Sequence, residues 1–267
     1  MLQPGYHGSG RNQVGVLSRG NQDEMSTLLR KVLNRAGPKY IQFADRVISS
    51  HVGGDSSPAF YDVQKTYPQL LTIDREYETV WKELRVLLPK KESIRLVHET
   101  ITAHPVVPGW RVLWVYFRNL NQYLPNRELF PETFAVLNQI PHMVDAWFSI
   151  IEPRKSIPAH RGMYRGLLRY HIAFKVPDNN PPKLRVKNEY YTWKQGESVM
   201  FDDRHEHEVY NESDDYRVVL IVDVLRPLPW PLHMMNVVAI WCIAKLHMEP
   251  AIANKTLTLQ GDAFQER

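Results

Sequence analysis

The chain has 267 residues, 43% hydrophobic and 23% charged, an ordinary globular mixture that excludes wholesale disorder, collagen-like repetition and a coiled coil. Its 33 basic and 29 acidic residues leave a net charge of +4, spread along the length rather than gathered in a stripe, so nucleic acid is not an expected partner. The one cysteine, Cys242, cannot close an internal disulfide, which makes a reducing, cytoplasmic setting the expectation.

Residues 1–22 are polar and glycine-rich, lack the basic start and apolar middle of a secretory signal, and are expected to form a flexible arm. From Glu24 to His51, and again from Ile73 to Leu87, apolar residues recur at three- and four-residue steps (Leu28, Leu29, Val32, Leu33; Tyr77, Val80, Trp81, Leu84, Leu87), which predicts helices. Gly37-Pro38 is expected to break the first, and the stretch from Gly53 to Pro58 to form a loop between the two. From Trp110 onward the chain turns β-branched and aromatic, with one helical interlude at Pro131 to Gln139. Strands are predicted at Val112–Phe117, Ala146–Ile151, Leu167–Val176, Leu184–Val186, Tyr190–Trp193, Ser198–Phe201, His207–Tyr210 and Arg217–Val224, parted by Pro, Gly, Asn and Asp turns. Many short strands at this spacing predict a sandwich or jelly roll. The apolar run from Leu232 to Leu246 is interrupted by His233 and Asn236 and falls short of the roughly 20 residues of a spanning helix. It is expected either to lie on a membrane face or to pack on its own domain or a second subunit.

Among the histidines, His160, His171 and His207 fall where the mouth of a jelly roll would be. Neutral imidazoles ligate iron, copper, nickel or zinc, and two from non-adjacent strands can share one cavity. Non-haem iron oxygenases add a carboxylate two residues after the first histidine; here that place holds Gly162. Arg217 leads into an apolar strand, and burying its guanidinium without a partner is costly, a need that a carboxylate ligand held by the planar fork would meet. Arg169 and His171 alternate across Tyr170 and so share one face of their strand.

Three motifs in order now carry a resemblance over the stretch from Ala146 to Pro227. They are Phe148-Ser149 ahead of Ile157-Pro158-Ala159-His160-Arg161-Gly162; Leu168-Arg169-Tyr170-His171; and Phe201-Asp202-Asp203-Arg204-His205-Glu206-His207-Glu208-Val209, with Arg217 and Val222-Asp223-Val224 behind it. The stretch resembles the aspartyl/asparaginyl β-hydroxylase family of Fe(II)/2-oxoglutarate dioxygenases, which includes lipid A fatty-acid 2-hydroxylases. The resemblance implies an α+β protein. Its core would be a double-stranded β-helix, jelly-roll and cupin-like, with N-terminal helices packed on it and a short C-terminal helix. The parts would be the arm (1–22), a helical region (23–105), the jelly-roll region (106–231) and a C-terminal helix and tail (232–267), forming one unit.

By the same resemblance His160 and His207 would bind Fe(II), and Gly162 is a likeness to family members that lack the carboxylate, water filling the open position. Arg217 would grip the distal carboxylate of the cosubstrate 2-oxoglutarate, with Ser149, Arg169 and His171 touching that cosubstrate or its metal-bound end. Asp202 and Asp203 would fix the turn that aims His207, and His205 is not expected to touch metal. The implied reaction uses O₂, hydroxylates an unactivated C–H bond and yields succinate and CO₂. The substrate would be an aspartyl or asparaginyl side chain or a lipid-linked acyl chain; the segment from His160 to Gly166 and the apolar tail favour the latter, with peripheral membrane contact through residues 232–246. The small residue at 162 leaves a halogenase as an alternative, and a non-catalytic cupin-like binding module is the other.

Overall fold

The computed structural model describes residues 19–94, 107–118 and 125–248. The expected arm and the C-terminal tail therefore fall mostly outside the described residues, although 19–22 already belong to a helix. That helix, α1 (Arg19–His51), contains Pro38 and does not break at Gly37-Pro38. Proline removes one backbone donor and tends to kink a helix rather than forbid it. The flanking turns are held from outside: Gly37 lies against Leu246, and Ala44 and Ile48 are buried in a cluster with Ala239 and Ile240.

Among the described residues, ten strands form two antiparallel sheets. They are β1 (Phe60–Tyr61), β2 (Trp110–Phe117), β3 (Met143–Ile151), β4 (Ser156–His160), β5 (Leu167–Lys175), β6 (Lys183–Val186), β7 (Glu189–Thr192), β8 (Ser198–Phe201), β9 (His207–Tyr210) and β10 (Arg217–Leu225). Their orders are β1-β8-β5-β10-β3-β2 and β4-β9-β6-β7, the face-to-face pair of a jelly roll. Every predicted strand is present; the sequence reading missed β1 and β4, which are short or interrupted by proline.

The six-stranded sheet is buried on both faces, so its strands read as near-continuous apolar runs, and alternation sorts their side chains. Leu220, Val222, Phe148, Ile150, Tyr170 and Ile172 face outward onto the helices α2 (Val63–Thr66), α3 (Leu71–Arg75), α4 (Tyr77–Leu87) and α5 (Pro131–Leu137), where Ile73, Val80, Leu84 and Leu137 are fully buried. The intervening residues, among them Val219, Ile221, Trp147 and Ala173, face the four-stranded sheet and meet Leu184, Val186 and Val209. The last helix, α6 (Trp230–Ile243), packs on α1 and closes one end of the sandwich through Tyr164, Val144 and Leu225. No helix of the described residues is long and apolar enough to cross a membrane.

Candidate active site

His160 ends β4, His207 opens β9, and the two are cross-strand partners. The next partners along are Ile157 and Val209, so β4 spends three residues where β9 spends two. The extra residue flips the alternation and turns His160 inward, where an unbroken strand would have aimed it out. The ring centroids lie 4.2 Å apart. Each Nδ1 sits against a backbone carbonyl, that of Pro158 at 2.8 Å for His160 and that of His205 at 2.9 Å for His207. A carbonyl only accepts, so each Nδ1 carries the proton and each Nε2 keeps its lone pair, the tautomer of a metal ligand. Burial holds both imidazoles below their ordinary range, and His207 well below it, with the His160 ring adding to the effect. The described residues hold no group of three or more His, Cys, Asp and Glu placed for a metal, so the donor set is a pair of imidazoles, which fits iron or a similar transition metal.

The sequence leaves an empty place at Gly162; the structure fills it. A Cβ there would fall on the Asp203 carboxylate, with Oδ1 only 2.6 Å away, while Gly162 N–H donates to the Asp203 carbonyl at 2.8 Å. Asp203 thus does more than fix a turn. Its partner Asp202 does the turn-fixing: it accepts from the Arg204 N–H at 3.0 Å and, fully buried, gathers Arg226 at 2.7 Å and Arg165 and Ser57 at 3.3 Å. His205 belongs to this knot, its Nε2 lying 3.0 Å from Ser57 Oγ and 3.1 Å from the Ser57 carbonyl. The knot ties the loop after α1 to the turn that carries His207.

The same interior holds a set of polar groups with nothing to bond among the described residues. Arg217 is 1% exposed, its Nε and Nη1 have no hydrogen-bond partner, and its guanidinium stacks 4.7 Å over the Trp193 ring. Burial lowers its pKa to about 9 from the usual 12.5. His171, stacked on Trp193 and edge-on to Phe201, leaves both ring nitrogens unbonded and is held well below the usual range, by burial first and then by Arg169 and Arg217. Ser149 Oγ accepts from Trp110 Nε1 at 3.0 Å and keeps its own proton to donate. Buried donors in folded proteins are nearly all satisfied, so a cluster that is not marks the seat of a ligand rich in acceptors.

Arg169 shares the face but not the freedom of Arg217. Its guanidinium forks onto Asp223 at 2.8 and 2.7 Å, reaches Asp203 at 3.2 Å and lies 5.1 Å from the Trp147 ring centre. All six residues singled out on sequence therefore line one interior. Trp193, Trp110 and Asp145 were missed, although an aspartate inside an apolar strand is a signal of its own, as Asp223 is within Val222-Asp223-Val224.

The family profile described as aspartyl/asparaginyl beta-hydroxylase matches residues 69–227. The ornithine lipid ester-linked acyl 2-hydroxylase of Rhizobium tropici is 32% identical over 71% of this chain and 67% of its own length. The human aspartyl/asparaginyl beta-hydroxylase is 31% identical over 41% of this chain, which spans only 15% of that protein. Among solved structures, the cupin domain of an XRE family transcriptional regulator from Enterobacter cloacae overlaps 45% of this chain and 99% of that chain, with 11% identity and a TM-score of 0.32.

Proposed function

The chain belongs to the aspartyl/asparaginyl beta-hydroxylase family, and on that premise we propose that it is an Fe(II)- and 2-oxoglutarate-dependent dioxygenase that hydroxylates the acyl chain of a membrane lipid. The observation that carries the reaction class is Arg217: a buried guanidinium with no carboxylate partner among the described residues, sharing the Trp193 ring with His171. His160 and His207 would hold the iron through Nε2. With 2-oxoglutarate and O₂, the iron supplies the oxidising power that places oxygen on an unactivated C–H bond, releasing succinate and CO₂. The protein's own residues do the rest. Arg217 grips the distal carboxylate of the cosubstrate with its planar fork, Ser149 donates its hydroxyl, and Trp193 and Phe201 wall the site against water. A halide beside Gly162 is disfavoured, since a carboxylate already sits there. A non-catalytic module is disfavoured as well, because it has no use for the unbonded donors around His171.

The acyl-lipid reading rests on the Rhizobium tropici relative and on the outer face of α6. Trp230, Met234, Val238 and Trp241 are exposed by 75, 44, 42 and 49% and fall at steps of three and four, one stripe along the helix with tryptophan at each end. The opposite face is core: Asn236 donates to the Gly166 carbonyl at 2.7 Å, just after the His160 strand. The neighbouring α1 exposes Arg30, Lys31, Arg35, Lys39 and Arg46, cations suited to anionic headgroups. In this reading the protein works from the cytoplasmic side, resting on the bilayer beside its own site entrance. The test is to incubate the protein with Fe(II) and 2-oxoglutarate, offering acyl lipids in vesicles and Asp- or Asn-containing peptides together. A mass gain of one oxygen on the lipid acyl chain is expected; a gain on peptide alone would reassign the substrate, and no gain with no succinate would end the proposal.

A further inference from the structure

Helices cover the outer face of the six-stranded sheet only as far as the last turn of α4. Beyond it, where Lys175 ends β5, Gln195 precedes β8 and Tyr216 precedes β10, lies a cleft of about 550 Å³, within the roughly 300–1,000 Å³ of small-molecule sites. It shares no lining residue with the active site. Side chains alternate along a strand, so Arg217 enters the space between the sheets while Tyr216 falls on the other face, against the helix-side core.

Two aromatic rings, both half-buried, line the cleft. Trp81 lies against Phe174, with ring centres 6.3 Å apart and planes 20° from parallel. Tyr216 has Lys175 at 4.2 Å and Lys91 at 5.1 Å from its ring centre. The Tyr216 wall is preset by the turn before it. Ser213 Oγ and the buried Asn211 Nδ2 donate to the Asp215 carbonyl at 2.7 and 3.1 Å, and the Asp215 carboxylate accepts the Tyr216 N–H at 2.7 Å. A wall already fixed in place costs a ligand little ordering on binding.

The two lysines are committed, Lys175 to Asp215 and Lys91 to Glu92 at 3.1 Å. Arg85 is not. It follows Trp81 by four residues and so lies beside it on one face of α4, is exposed, and makes no hydrogen bond or ion pair among the described residues. Asp178 stands exposed across the cleft, so the cations Arg85, Lys91 and Lys175 outnumber the acids Asp178 and Asp215. A free guanidinium offers a planar fork that matches a carboxylate, and here it stands one turn from an indole that can pack against a flat ring.

We propose that this cleft is a second binding site, for a small aromatic carboxylate. The ring packs against Trp81 and Tyr216, and the carboxylate meets Arg85, with Lys91 and Lys175 adding to the positive field. Because the cleft uses the face of β10 away from Arg217, this ligand and 2-oxoglutarate occupy the protein together. The site stands on its own geometry and does not depend on the hydroxylase reading.

The test is calorimetric titration of the full chain with 2-naphthoate and with 2-naphthamide, which share a ring system and differ in charge. Naphthoate is expected to bind at one site per chain, tighter than the amide by on the order of tenfold, the scale of one charge-assisted hydrogen bond. Arg85 is exposed, so Arg85→Gln should fold as the wild type does and bring the two affinities together. Naphthoate binding should persist with Fe(II) and saturating 2-oxoglutarate present under nitrogen. Absence of naphthoate binding, equal affinity for the two compounds, a preference that survives in Arg85→Gln, or displacement by 2-oxoglutarate overturns the proposal. Failure of the hydroxylase reading shows separately, as absence of succinate in air, and leaves the naphthoate comparison unchanged.

Discussion

Replacing Arg217 with methionine keeps the aliphatic stem and removes the charge, and the structure assigns this change two effects of opposite sign. Without cosubstrate the guanidinium is a liability: its pKa is about 9 instead of the ordinary 12.5, a penalty with a ceiling of roughly 5 kcal/mol at about 1.36 kcal/mol per tenfold in proton affinity. Water entering the empty site reduces this, so a gain of about 1–3 kcal/mol is expected for the variant, or several degrees in Tm at roughly 2–4 °C per kcal/mol for a chain of this size. The sign with pH follows. Below pH 9 the group is charged in both folded and unfolded protein, and the penalty is present in full. Above pH 9 the folded protein releases the proton while the unfolded chain still holds it, so wild-type stability rises towards that of the variant. With cosubstrate the order reverses, because removing one partner of a buried charge pair costs about 2–5 kcal/mol, a loss of roughly 30- to several-thousand-fold in affinity for 2-oxoglutarate. The assay is thermal unfolding of both proteins, with and without 2-oxoglutarate, under nitrogen. A variant that melts below wild type in the absence of ligand, or that keeps the 2-oxoglutarate-induced rise, would refute the assignment of Arg217 as an empty anion seat.

Three further outcomes are expected. Gly162→Asp, which writes in the carboxylate of the usual iron triad, should weaken Co(II) or Fe(II) binding and cost about 1–3 kcal/mol by overpacking against Asp203; tighter metal binding by titration would show the space to be open. Asp202→Asn should lower stability by about 3–5 kcal/mol in urea unfolding, since it strips a buried partner from Arg165 and Arg226; an unchanged midpoint would mean the knot is idle. Trp230→Ser with Trp241→Ser should reduce co-sedimentation with anionic vesicles without changing Tm, whereas ending the chain at Pro231 should abolish folding, because Asn236, Ala239 and Ile240 are core. Equal sedimentation of the double variant would turn the stripe over to another partner.

Much of this was legible in the sequence because jelly-roll strands are short, and the turns between them are written in Pro, Gly, Asn and Asp. The residues of the site announced themselves as polar interruptions of apolar strands: Arg169 and His171 within β5, and Arg217 at the head of β10. What stayed hidden was register. No periodicity reveals that β4 carries one extra residue between Ile157 and His160, yet that residue turns the imidazole inward. Pairing is equally silent: nothing in the sequence shows that Arg169, expected to touch the cosubstrate, is engaged by Asp223 and Asp203. The expected break at Gly37-Pro38 failed for a related reason: local propensity argued for a stop, and packing of α1 against α6 and Leu246 overrode it.

The most direct test of the account is succinate formation by the purified protein supplied with Fe(II), 2-oxoglutarate, O₂ and acyl lipid, measured beside His160→Ala and His207→Ala. The account expects succinate from the wild type, matched by oxygenated lipid, and none above background from either variant. Wild-type rates in the His207→Ala protein would contradict a metal held between these two rings.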